Sequence, residues 1–360
     1  MAKTTSTSDP TTALPKRDKR LLYLIAFAGL LTLFAGIVLA LYSAVNYKYE
    51  DKAQLGESVV FSVPKGSGLS SISDRLENET LIESAFVFKL VTKLRGNEAN
   101  FKAGEFSVQR GQSMAEIYDI LANGRAVEYS VTIPEGLTSA QILRSLDGFP
   151  ALKDDNPSAL AEGVLLPETY NVLKDMPQTA LITQMRRAQT ALLDEIWDNR
   201  AKDLPIKTRA EAIVLASIVE KETGIGAERD KVAGVFVNRL RRGMRLQSDP
   251  TIIYGVSKGE PLRNKKGKRR GIFRSEIDTK TAWNTYQIDG LPSTPICNPG
   301  ADAIRAVLNP ADTKALFFVA DGTGGHVFGS TLKEHEANVR KWRQIERQKK
   351  RERAARKLRQ

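Results

Sequence analysis

Cysteine and histidine are nearly missing from this 360-residue chain, which holds one Cys and two His. A lone Cys297 excludes an intrachain disulfide framework and any multi-cysteine zinc site, and is read as a small buried side chain. His326 and His335 have no partner at a recognised ligand spacing, so no metal and no cofactor is expected. Disorder is excluded for the bulk of the chain by its 41% hydrophobic and 27% charged residues. The net charge of +12 invites a nucleic-acid reading until it is localised. Residues 341–360 hold ten Lys/Arg against Glu346 and Glu352, or +8 by themselves, which leaves about +4 for the rest.

Charge is absent altogether from residues 21–42, LLYLIAFAGLLTLFAGIVLALY. As a helix this run would span roughly 33 Å at about 1.5 Å per residue, enough for a hydrocarbon core of about 30 Å. A cleaved signal peptide would have a shorter apolar region followed by small residues, whereas Tyr42 and Tyr47 stand here. An uncleaved single-pass anchor over residues 21–45 is therefore expected. Lys16, Arg17, Lys19 and Arg20 precede it, and Lys48 and Lys52 after it are offset by Glu50 and Asp51. The positive-inside rule then leaves residues 1–20 as a cytoplasmic stub and everything after about residue 46 outside the membrane. Nucleic acid falls away as a partner, while the lipid bilayer becomes one.

Within the region 46–145, residues 56–145 repeat one pattern three times: a β-rich run, a Gly-containing turn, and a helix. The runs start at Val59, Phe106 and Tyr129. Ser113 with Glu116, and Thr138 with Gln141, have the spacing of capping boxes, and Ser71 with Asp74 forms a looser pair. This style resembles LysM-like modules, which bind N-acetylated sugars; a plain α+β spacer is the alternative. Residues 146–205 read as a mainly helical connection, interrupted by the turn-prone stretch 162–170. Within 206–340, Thr208 and Glu211 should cap a helix over 210–222, followed by a second over 227–242 to make an αα-hairpin. A short helix at 301–308, a hairpin of 316–320 with 326–329, and a last helix capped by Thr331 and Glu334 complete the pattern. The basic loop 265–270 and the tail 341–360 are expected to be solvated, the tail also having the charge to meet anionic lipid or wall polymer. The fold class is α+β: an N-terminal transmembrane helix, LysM-like α+β module(s), and a mixed α+β catalytic domain.

The helix over 210–222 is unusually apolar and ends in two carboxyls. Burial disfavours an anion, so such a carboxyl can stay protonated near neutral pH, as glycosidic cleavage requires. Glu220 shares a face with Ile213, Ala216 and Ser217, and Ser217 could offer it a hydrogen bond. Glu222, ~200° around the helix, competes with it, and spacing leaves that choice open.

The ordered motifs Ser217-Ile218-Val219-Glu220-Lys221-Glu222-Thr223, Glu228-Arg229-Asp230-Lys231-Val232, Val237-Asn238-Arg239-Leu240, Leu246-Gln247-Ser248-Asp249-Pro250-Thr251, Asn284-Thr285-Tyr286, Asn298-Pro299-Gly300 and Phe318-Val319-Ala320-Asp321 resemble the endolytic murein transglycosylase family, also known as YceG-like or MltG. With Glu162-Gly163 and Pro167-Glu168-Thr169-Tyr170, the resemblance runs from about residue 20 to 340. It implies an enzyme that cuts MurNAc-GlcNAc β-1,4 bonds inside nascent glycan strands and leaves 1,6-anhydro-MurNAc ends. The first Glu of Glu-Lys-Glu-Thr is catalytic in that family, which implies Glu220. Ser217, Glu222, Gln247, Ser248, Asp249, Thr251, Tyr254, Asn284, Tyr286 and Glu168 are candidate substrate contacts, with turn formation and packing as their plain alternatives. Peptidoglycan strands are the implied substrate and penicillin-binding proteins or other wall synthases the implied partners, at the inner membrane with the catalytic domain outside. Two other functions remain to be weighed. One is a non-catalytic peptidoglycan-binding scaffold; the other is a PLP-dependent aminodeoxychorismate lyase, against which the anchor argues.

Overall fold

The uncharged run folds as one helix, α1 (Lys19–Glu50), in a computed structural model that describes residues 19–96 and 101–358. Its apolar side chains stay uncovered: Leu24 is 66% and Phe34 67% exposed. It is long and apolar enough to cross a membrane. The helix outlasts the expected boundary at residue 45 because its last turns dock on protein. Tyr49 is buried beside Phe88, Val45 packs on the same core, and Glu50 pairs with Arg95 at 2.8 Å.

Contacts divide the chain into two units that meet between Val127 and Glu128. In the first, β1 (Ser58–Val63), α2 (Leu69–Asn78), α3 (Ala85–Leu94), β2 (Gly104–Gln109) and α4 (Met114–Asn123) follow α1. β1 and β2 are antiparallel, with Phe61 opposite Phe106 and both rings fully buried. Ile72, Leu76, Phe88, Ile117 and Leu121 close the core from the helices. Ser113 and Glu116 form their capping box. Ser71 and Asp74 form none, because α2 starts earlier, after Gly68, and Asp74 pairs with Lys89 instead. α3, absent from the sequence expectation, is capped by the Ser84 side chain.

The second unit contains β3 (Glu128–Thr132), α5 (Ser139–Leu146), β4 (Leu152–Lys153), β5 (Thr169–Leu173), β6 (Met176–Pro177), α6 (Gln178–Ile196), α7 (Arg209–Glu222), α8 (Gly226–Arg241), α9 (Asp249–Ser257), α10 (Arg274–Asp278), α11 (Ala301–Leu308), β7 (Phe317–Ala320), β8 (His326–Gly329) and α12 (Leu332–Leu358). β3 pairs with β5, so the third strand-turn-helix repeat belongs to the second unit. The stretch expected to be mainly helical has one helix, α6, preceded by strands. Tyr170 and Val172 are buried while their neighbours Thr169, Asn171 and Leu173 are exposed, the two-residue period of a strand.

Thr208 and Glu211 cap α7 as expected, and all eight side chains from Ala212 to Val219 are buried. A helix apolar all round needs partners on every side; α8 and α11 both pack against α7. The β7–β8 hairpin sets Phe318 opposite Phe328. α12 continues into the basic tail, exposed as far as Glu352 apart from the half-buried Trp342 and Ile345. In the basic loop, Asn264 Oδ1 accepts from the Lys266 and Lys268 N–H groups, and Arg270 pairs with Glu276 at 2.6 Å.

Candidate active site

Residues 295–300 form an irregular strap stitched to three segments of the second unit. The Ile296 N–H donates to Ser217 Oγ at 3.0 Å, and that hydroxyl donates to Val214 O at 2.7 Å. Asn298 ties the strap to residues 136–139 and accepts from the Leu165 N–H at 3.0 Å. Buried Cys297 lies between, its thiol pushed up by burial. The strap then delivers the Gly300 N–H to Glu220 Oε2 at 3.1 Å. Ser217, expected to bond Glu220, therefore holds the strap instead, and a backbone N–H takes the expected role.

The Glu220 side chain is 7% exposed. Burial raises its pKa, and Glu135 adds to this, while the Gly300 N–H, Arg229 and Lys221 pull the other way. Arg229 Nη2 stands 3.9 Å from Glu220 Oε1 and 3.6 Å from Glu135 Oε2, and its Nη1 lies 3.1 Å from Asp302 Oδ2. Lys221 turns aside to donate to Gly136 O at 3.2 Å. This carboxyl can hold a proton, and its anion has an N–H and a guanidinium to meet it.

Glu222 faces a different environment. Burial pushes its pKa up to about 7, against the hydrogen bond from Ser248 Oγ and with the help of Asp249. It lines a cavity of about 290 Å³ with Arg239, Gln247, Asp249, Tyr286 and His335 among its walls. Tyr286 donates to Asp249 at 2.7 Å, and Gln247 holds a left-handed backbone at φ +51°. Four of the expected contacts, Gln247, Ser248, Asp249 and Tyr286, thus gather around Glu222.

The remaining expected residues separate. Asn284 is buried and spends its Nδ2 on the carbonyls of Glu276, Ile277 and Thr279, at 3.1, 3.0 and 2.6 Å. Thr251 is buried with Thr285 at 2.9 Å. Both serve the fold. The Tyr254 ring packs edge-on to Trp283 at 5.5 Å, and its hydroxyl bonds Glu162. Glu168 is exposed, and its carbonyl accepts from the Ile133 N–H.

Sequence reasoning passed over Glu162, Glu135, Arg229 and Gly300 as site residues. Burial raises the Glu162 pKa, and it accepts from the Ser139 N–H at 2.9 Å. The only signal for these four was their presence in short motifs, Pro-Glu-Gly, Glu-Gly, Glu-Arg-Asp and Asn-Pro-Gly. Gly163 offered a further hint. It sits at φ +74°, and a Cβ there would lie 2.6 Å from Pro295 Cγ of the strap. Among the described residues, no three His, Cys, Asp or Glu come together as a metal site.

The YceG-like family model matches residues 61–341. Over 318 residues the chain is 28% identical to the endolytic murein transglycosylase of Bacillus subtilis (strain 168), covering 79% of this chain and 85% of that protein. Identity is 29% over 328 residues to the endolytic murein transglycosylase of Streptococcus pneumoniae serotype 2 (strain D39), covering 78% of this chain and 58% of that protein. The chain therefore spans less than two thirds of the pneumococcal relative. A crystal structure of a YceG-like protein from Listeria monocytogenes is 28% identical, covers 78% of this chain and 99% of its own, and superposes with a TM-score of 0.47.

Proposed function

The chain belongs to the YceG-like family, and from that premise we propose that it is an endolytic peptidoglycan lytic transglycosylase with Glu220 as its single acid/base. The observation that carries this reading is the Glu220 carboxyl itself: nearly buried, raised in pKa, and faced by the Gly300 N–H and Arg229. Such a group can be an acid first and a carboxylate afterwards.

The reaction needs both states in turn. Protonated Glu220 gives its proton to the glycosidic oxygen as the bond from MurNAc C1 to GlcNAc O4 breaks. The carboxylate then takes the proton of the MurNAc C6 hydroxyl while that oxygen bonds to C1, closing the 1,6-anhydro ring. The proton returns to Glu220, and no water is consumed. A second carboxylate to activate water, as in an inverting glycosidase, is unnecessary.

Electrostatics favour Glu220 over Glu222 for this cycle. Ionised Glu222 would face Asp249, with the Ser248 hydroxyl as its hydrogen-bond donor and the Arg239 guanidinium acting across the cavity, whereas ionised Glu220 gains a backbone N–H and the nearby Arg229 guanidinium. Glu222 suits a neutral sugar-binding role, with Gln247, Asp249 and Tyr286 around the same cavity and Ser248 bonded to its carboxyl. Residues 206–340 then form the catalytic domain, to which the segments around Glu135 and Glu162 contribute. In the membrane-proximal unit, the order β1-α2-α3-β2 with its antiparallel strand pair supports the LysM-like reading. The apolar α1 and the basic residues before it support a single-pass inner-membrane anchor with the catalytic unit outside. Wall synthases, penicillin-binding proteins among them, would meet the enzyme on nascent strands.

The test compares wild type with Glu220→Gln on purified glycan strands, reading 1,6-anhydro-muropeptides by mass spectrometry. We expect the variant to bind strands and release no anhydro ends. Undiminished release would remove Glu220 from the mechanism, and binding without release by the wild type would favour the scaffold reading.

A further inference from the structure

Arg229 is the unusual group near the proposed acid/base. It is 8% exposed, its Nε is buried without a hydrogen-bond partner, and its two terminal nitrogens are divided among three carboxyls. Those carboxyls differ in freedom. Glu220 is 7% exposed, while Glu135 and Asp302 are 42% and 74% exposed and have water as an alternative partner. The longest of the three contacts, 3.9 Å, is the one to Glu220.

Gly300 brings the same groups together from below. Its N–H donates to Glu220 Oε2, and a Cβ placed on it would overlap Glu135 Oε1 at 1.8 Å. Glu135 therefore rests directly on the Gly300 backbone, in space that only glycine leaves open. Lys221, next to Glu220 on α7, is committed to Gly136 O. The charged groups facing Glu220 are thus Arg229 from α8, Glu135 from the β3–α5 connection, Lys221 from α7, and Asp302 of α11 acting through Arg229; Cys297 lies below as a neutral thiol.

We propose that Arg229 is a positioning residue whose charge is exchanged between Glu135 and Glu220 during turnover, with Asp302 holding the guanidinium in place throughout. While Glu220 is protonated, the guanidinium is balanced by Glu135 and Asp302. Once Glu220 has given up its proton, its carboxylate becomes the better partner because it is the more buried of the two, and Glu135 turns toward solvent. Arg229 Nη2 already stands within 4 Å of both carboxyls, so the exchange needs no large displacement. Glu135 thereby helps Glu220 hold its proton at rest without preventing its ionisation later. This inference rests on the reading of Glu220 as acid/base.

Two substitutions should act in opposite directions. Glu135→Gln removes a negative neighbour and frees Arg229 for Glu220, so the Glu220 proton is held less tightly. Arg229→Gln removes the positive neighbour and leaves Glu135 and Asp302 uncompensated, so the proton is held more tightly. The readout is kcat/KM for anhydro-end release by the detergent-solubilised full chain between about pH 4.5 and 9, because this quantity reports the acid in the free enzyme. Protonated Glu220 is the active form at the start of the cycle, so activity is lost as pH rises through its pKa. The alkaline midpoint should move down by about one pH unit in Glu135→Gln and up by about one unit in Arg229→Gln, as for a carboxyl losing one charged neighbour. Profiles that superimpose on wild type, or that move the same way, overturn the proposal. Should Arg229→Gln not fold, Glu135→Gln decides alone: its side chain is exposed, and an unmoved or raised midpoint is refuting. Activity surviving in Glu220→Gln would instead overturn the underlying reading. An inactive Glu220→Gln with an unmoved Glu135→Gln profile overturns this inference only.

Discussion

Replacing Glu222 by glutamine should stabilise the protein at alkaline pH and leave its stability near pH 4 almost unchanged. Burial raises the folded-state pKa of Glu222 from 4.5 to about 7. A carboxyl with a raised folded pKa disfavours folding only where the unfolded chain would ionise it. The cost is therefore absent below about pH 4.5, grows as pH rises toward 7, and is complete above 7. A gap of about 2.5 units at about 1.4 kcal/mol each gives about 3.5 kcal/mol. Glutamine has nearly the shape of the neutral carboxyl, and its Oε1 can still accept from Ser248 Oγ, so the variant escapes this cost at every pH. For a unit of this size, such a difference corresponds to a melting-temperature gain of about 7–14 °C. Thermal unfolding of both proteins at pH 4.0 and 8.5, followed by circular dichroism, isolates the effect, because the two chains differ only at this side chain. A difference between variant and wild type that does not change with pH would refute the assignment of a buried, neutral Glu222.

Asn284→Ala should destabilise the second unit by about 2–4 kcal/mol in a denaturant titration, since three carbonyls lose their shared donor; a pure substrate contact would leave stability alone and raise KM. Thr208→Ala should remove the α7 capping box at a cost of about 1 kcal/mol, lowering the melting temperature of this unit by about 2–4 °C.

The parts legible in the sequence were those encoded within a few residues. The capping boxes at Ser113, Thr138, Thr208 and Thr331 depend on a hydroxyl and a Glu or Gln three positions later, and each stands where that spacing places it. The β7–β8 hairpin is similarly local. Pairing β3 with β5 is not, because the strands lie 37 residues apart at Thr132 and Thr169 and nothing in either names the other. α3 escaped notice because Ala-Phe-Val-Phe-Lys-Leu-Val mixes aromatic and β-branched residues, whose short apolar runs suit strand as well as helix. At the site, helical geometry correctly put Ser217 and Glu220 on one face of α7. It could not reveal that a strap arriving from residue 296 would take the hydroxyl first. Arg229, Glu135 and Glu162 reach their places through tertiary packing, and helix spacing left Glu220 and Glu222 unseparated, the family resemblance alone favouring Glu220.

The last turns of α1 make the first unit continuous with the apolar helix that could cross a membrane. Between Lys19 and Glu50 there is no break in the helix, and Tyr49 seals its end into the core that holds Phe88. At 1.5 Å per residue the helix is about 48 Å long, some 18 Å more than a hydrocarbon core. With the apolar run in a bilayer, the anchor would act as a stiff stalk rather than a tether. A tilt of the buried segment would tip the attached unit by the same angle, as a mast carries its crosspiece. Glycine-rich residues inserted after residue 46 would turn that mast into a leash and let the unit wander.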